Sequence, residues 1–143
     1  MKNLYRSLLL LIGLSFITPL HAAGEFAEEK IVLQISDNDP FKQTLVLNVA
    51  NNLIKHYGKN KVAIEIVAFG PGLRLLFADN KNSTRIDSLV LDDVTFAACE
   101  NTIDSMTKQL GHAPTLHKSA KPVSAGVVRI IELVNNGYKL IKP

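Results

Sequence analysis

A single cysteine stands among 143 residues. A lone thiol excludes an internal disulfide. It leaves a buried inert thiol, an intermolecular bridge or a reactive thiol. Clusters of Lys and Arg are also missing, so no face suggests a track for nucleic-acid phosphates. No Ser/His/Asp arrangement stands out, and no pair of carboxylates has a defined spacing. The glycine turns match neither a P-loop nor GxGxxG. A hydrolase or a nucleotide-dependent enzyme therefore has no positive support. Internal repeats and low-complexity tracts are absent. The N-terminal apolar run falls short of the ~20 residues that a membrane span needs.

What is present begins with an export signal. Lys2 and Arg6 give a positive start, and Leu8–Ile17 is an apolar run broken only by Gly13 and Ser15. Pro19-Leu20-His21-Ala22-Ala23 then offers a small-residue cleavage site. This is the layout of a secretory signal peptide over residues 1–22, cut after Ala22, with an uncleaved anchor as the alternative. No lipobox cysteine follows. The expected location is the periplasm or the medium, with no membrane association after cleavage. Lys2 and Arg6 leave with the signal and no acid does, so 14 bases then face 13 acids, a net charge near +1. Residues 23–143 make one compact domain, long enough for a real core.

Within that domain, apolar runs alternate with helical segments. Lys30–Ile35, Val62–Phe69 and Val94–Ala98 read as strands, with Val123–Ala125 and Tyr138–Ile141 as shorter ones. Asp39 suits an N-cap and Pro40 a first helical position. From there Phe41, Leu45, Val49 and Leu53 recur every four residues, with Val46, Ala50 and Ile54 widening the stripe to a stop at Gly58. Shorter helices are expected over Leu73–Ala78, Arg85–Leu91, Asn101–Leu110 and Val127–Asn135, with 112–122 irregular. Strand–helix alternation implies parallel pairing. The first two strands are apolar on both faces, as in a sheet covered by helices on both sides. Asn82-Ser83-Thr84 is a glycosylation sequon on paper.

Ligands of open α/β sheets bind beyond the carboxyl ends of the strands. Three features fall there: the Asp37–Asp39 turn, Gly70-Pro71-Gly72, and Cys99. A helix capped by Asn101 or Thr102 would place its positive end beside Cys99 and favour the thiolate, while Glu100 opposes it. The alternative for Cys99 is a buried small hydrophobe. His56, His112 and His117 are candidate partners that could activate the thiol. Cys99 with His112 and His117 fits no standard metal-ligand spacing, and no metal is expected. Asp37 and Asp39 could hold a cation, but turn chemistry and capping account for both. Gly70 and Gly72 with Arg74 could cradle an anion, or simply form a tight turn.

Several short motifs together carry a family resemblance. Ser36-Asp37-Asn38-Asp39-Pro40, Leu47–Asn52, Gly70-Pro71-Gly72-Leu73, Cys99-Glu100-Asn101-Thr102, Gly126-Val127-Val128-Arg129 and Gly137-Tyr138 with a Lys-Pro ending resemble the DsrE/DsrF-like proteins, and among them a small exported branch. The similarity runs from about Lys30 to Pro143. It implies a compact α/β domain with a mostly parallel five-stranded sheet flanked by helices. It also implies a homo-oligomer, trimer or hexamer; no cofactor is expected. The best understood members are sulfur carriers that hold a persulfide on one cysteine at a strand end and exchange it with a donor or acceptor protein. Cys99 is the matching position. The export signal is a departure, because it separates the chain from cytoplasmic sulfur donors and from transfer RNA.

Two functional expectations follow. In the first, the chain is a sulfur carrier or sulfane-sulfur binder rather than a turnover enzyme. Cys99 is then the nucleophile, the helix near Asn101 and Thr102 steadies it, and Gly70, Gly72 and Asp37 shape the pocket. In the second, Cys99 is packing, and the chain is a non-catalytic oligomeric module that binds a small ligand or a protein. A weaker third option is a redox sensor joined by an intermolecular disulfide.

Overall fold

The computed structural model describes residues 27–143; the signal segment expected over 1–22 lies outside them. Five strands are laid down in chain order: β1 (Glu29–Ile35), β2 (Val62–Ala68), β3 (Thr95–Cys99), β4 (Ala120–Val123) and β5 (Lys139–Ile141). The helices between them are α1 (Pro40–Tyr57), α2 (Ser83–Leu91), α3 (Glu100–Leu110) and α4 (Gly126–Asn135), with a 3-10 helix over Gly70–Leu76. The strands form one sheet in the order β4-β3-β2-β1-β5, and every pairing is parallel. The α/β class and the five-stranded parallel sheet agree with the sequence.

Alternation along the strands builds two cores. Ile31, Leu33 and Ile35 of β1 join Ile64, Ile66 and Ala68 of β2 on one face. There they pack against α1, α2, the 3-10 helix and the inner side of α3. Val32, Val67 and Ala97 point to the other face and meet Ile130 and Leu133 of α4. Glu65 also lies on that second face. Burying its carboxylate at 7% exposure requires a partner. Arg129 supplies it with two bonds, Nε to Oε1 at 2.7 Å and a terminal nitrogen to Oε2 at 2.8 Å. This paired fork ties α4 to the sheet.

Several local details differ from the sequence reading. Asp39 does cap α1, accepting from Phe41 N–H at 2.8 Å. The buried stripe of α1, however, is Gln43, Val46, Leu47 and Ala50, while Phe41 is 73% exposed. Phe41 sits in the first turn, beyond the edge of the core. The fourth strand is Ala120–Val123, earlier than expected. Pro122 obscures it, since proline suits only strand edges, and β4 is an edge. Segment 112–119 is held rather than irregular: His117 N–H donates to Leu76 O at 2.8 Å, and Leu116 bridges to Phe77. Asn82 of the sequon is buried and bonded to Asn80.

Candidate functional site

The parallel register aligns the strand ends. Ile35 pairs with Ala68, Ala68 with Ala98, and Cys99 with Val123. The turns after β1, β2, β3 and β4 therefore open at one carboxyl edge, which is the favoured ligand position of an open sheet. Cys99 ends β3 and is itself the N-cap of α3, with φ −68° and ψ 115°. The expected capping by Asn101 or Thr102 is thereby corrected, because the helix begins one residue sooner, at Glu100. As N-cap, Cys99 stands at the end of α3 where the first-turn N–H groups are unpaired, but its side chain closes no capping hydrogen bond.

Four polar groups bear on the sulfur, although its side chain closes no capping hydrogen bond on α3. Burial pushes the Cys99 thiol up, but the Thr102 hydroxyl and the backbone N–H groups of Gly126, Thr102 and Asn101 pull it down. The donors prevail, and the thiol is held below its ordinary range. Thr102 is set in its role by a second bond. Its Oγ1 accepts from Gly70 N–H at 2.9 Å, so its own hydrogen is left for the sulfur. Asn101 and Thr102 belong to the start of α3, while Gly126 starts α4. The sulfur thus lies where two helix N-termini meet, and both dipoles favour negative charge there.

Glycines make this convergence possible. A Cβ on Gly72 would lie 2.4 Å from Ile35 O and 2.7 Å from Ser36 Cα. Only glycine allows the 3-10 helix to press against the end of β1. Gly70 adopts φ +53°, which turns its N–H toward Thr102. A Cβ on Gly126 would meet the Phe69 side chain at 3.0 Å, so α4 starts close against the β2 turn.

Beside the thiol lies a groove of about 580 Å³, lined by Gly70, Asn101 and Thr102 together with Asn38 and Arg74. Cys99 itself does not line it and is 5% exposed. Of the sequence candidates, Cys99, Asn101, Thr102 and Gly70 therefore come together. Gly72 is buried as a spacer behind them. Asp37 stands apart, 3.1 Å from Lys42 Nζ, and its neighbour Asn38 faces the groove instead.

Among the described residues, no histidine acts on Cys99. His117 is buried elsewhere, its Nδ1 accepting from Ser119 N–H and its Nε2 3.6 Å from Asp87. His56 packs edge-on against Tyr57, and His112 is exposed. Among the described residues, no group of three His, Cys, Asp or Glu side chains could hold a metal ion. The donor missed from sequence is Gly126. Its signal was the Ser124-Ala125-Gly126 junction before an apolar helix, which needed β4 to be placed beside β3.

No protein-family model and no curated protein matches the chain. Solved structures do. A protein of unknown function, MTH1491 from Methanobacterium thermoautotrophicum, superposes with a TM-score of 0.73 at 28% identity, over 80% of this chain and 99% of that one. The ychN protein from E. coli gives 0.60 at 13% identity, over 80% and 99%. The fold is DsrE-like. In this DsrE-like frame, the cysteine occupies the carboxyl end of the third strand, at the open edge of the sheet.

Proposed function

We propose that this protein is an exported sulfane-sulfur carrier that holds a persulfide on Cys99. The observation that carries the reading is the place of Cys99, at the carboxyl end of β3 and the N-cap of α3, beside Thr102 and the start of α4. Donors that stabilise a thiolate also stabilise the terminal sulfur of a persulfide anion. The thiolate form is the one that attacks sulfane sulfur. The DsrE-like fold supports the same chemistry through the resemblance of the motif around Cys99. Export rests on the signal-peptide pattern of residues 1–22, and places the activity in the periplasm or outside the cell. Carrier chemistry needs a donor and an acceptor but no cofactor.

A second reading is favoured by one observation, the 5% exposure of Cys99. In it the thiol is packing and the groove alone binds. Intact mass separates the two. Protein purified without reductant is expected to gain about 32 Da per sulfur atom, removable by a thiol reductant. Cys99→Ser is expected to lack the gain. Function retained by Cys99→Ser would favour the binding module instead.

A further inference from the structure

The groove beside the thiol carries one positive charge and no negative one. Arg74 lines it, with Asn38, Asn101, Ser105 and Gln109 as polar neighbours, and no Asp or Glu lines it. Among the described residues no carboxylate comes within 4.0 Å of Arg74; its guanidinium lies 5.7 Å from the Phe77 ring centroid. Nearby Asp37 is already engaged by Lys42. Nor is Arg74 among the groups that pull the Cys99 thiol down. Arg74 is exposed at the groove, so its charge is open to solvent and to an anion that enters.

Size narrows the occupant. About 580 Å³ is the scale of a small-molecule site. A sulfur 5% exposed admits a compact reagent far more readily than a protein surface. We infer that the groove seats a small anionic sulfur compound, a persulfide with a carboxylate on its carbon skeleton, its carboxylate on Arg74 and its sulfane sulfur turned toward Cys99. This rests on the reading of Cys99 as a sulfur carrier and names the co-substrate for it. The step is R–S–SH + Cys99–S⁻ → R–S⁻ + Cys99–S–SH. A bond forms between Sγ and the sulfane sulfur, the R–S–S bond breaks, and its electron pair leaves on R–S⁻. The proton stays on the transferred sulfur, and no external oxidant or reductant is needed.

The test compares alkylation of the native full-length protein by iodoacetate, an anion, and iodoacetamide, its neutral analogue. The ratio of the two rates is measured for the unaltered protein, Arg74→Gln and Arg74→Lys, with Cys99→Ser as background. Loss of the cation is expected to lower the ratio by about fivefold in Arg74→Gln, with the effect shrinking as salt rises. Arg74→Lys is expected to keep most of it. Loading from the persulfide of 3-mercaptopropionate is expected to slow in Arg74→Gln, while loading from that of 2-mercaptoethanol does not. A reactive Cys99 whose ratio ignores Arg74 would overturn this inference and leave the carrier reading standing. A Cys99 that neither reagent labels would overturn both.

Discussion

Thr102 is where residue-scale chemistry concentrates. Its hydroxyl accepts from Gly70 N–H and pulls the Cys99 thiol down, so one side chain links the turn after β2 to the end of β3. Thr102→Val removes the donor and leaves Gly70 N–H unpaired. Alkylation of Cys99 by iodoacetamide near neutral pH is expected to slow about three- to tenfold, given the strength of a hydrogen bond to a charged group. Thr102→Ser keeps the hydroxyl and is expected to restore the rate. Equal rates in Thr102→Val and the unaltered protein would remove Thr102 from the site. The same contacts act on stability. The native thiol lies below its unfolded range, so its contribution is present above the unfolded pKa and is lost as pH falls through the native one. Cys99→Ser lacks that dependence.

At the scale of elements, the site depends on how closely the 3-10 helix and α4 approach the sheet. Gly72 sets the first approach, with no room for a methyl group against the β1 backbone. Gly72→Ala is expected to destabilise the fold by about 3 kcal/mol in urea unfolding. Gly111, at the end of α3, has φ +77° but open space around it. Gly111→Ala pays only for the backbone conformation and is expected to cost about 1 kcal/mol. Similar costs at the two positions would contradict the close-packing account. Arg129 sets the second approach by holding Glu65, one turn into the helix whose first N–H reaches the thiol. Much of this was legible in sequence. β-branched runs gave β1, β2 and β3, and Asp39-Pro40 gave the start of α1. The β4 strand was not, because Pro122 argues against a strand until its edge position is known. Gly126 stayed hidden for the same reason, since only the pairing of Val123 with Cys99 brings α4 to the thiol. Asp37 looked like a pocket residue because it is a carboxylate at a strand end, yet Lys42 one helical turn away engages it.

On the scale of the whole molecule, the α4 side stays apolar. Val127, Ile131 and Val134 recur at i, i+4 and i+7 and are each well exposed, Ile131 at 54%. Leu140 and Ile141 of the edge strand β5 are exposed too. Uncovered apolar faces of this kind commonly mark contacts between proteins. The occupant expected from the family resemblance is a second copy of the chain, in a trimer or hexamer. Light scattering coupled to gel filtration is expected to give a multiple of the chain mass, and Ile131→Glu a monomer. A monomeric unaltered protein at micromolar concentration would contradict this assembly.

The central claim is that two helix N-termini and Thr102 hold the Cys99 thiol below its ordinary value despite its burial. The rate of iodoacetamide alkylation of the native, mature protein against pH tests it most directly, because the rate follows the thiolate fraction. The account predicts labelling confined to Cys99, with an inflection below the ordinary thiol value of about 8.5 that moves upward in Thr102→Val. An inflection at or above that value, or a thiol labelled only after unfolding, would contradict it.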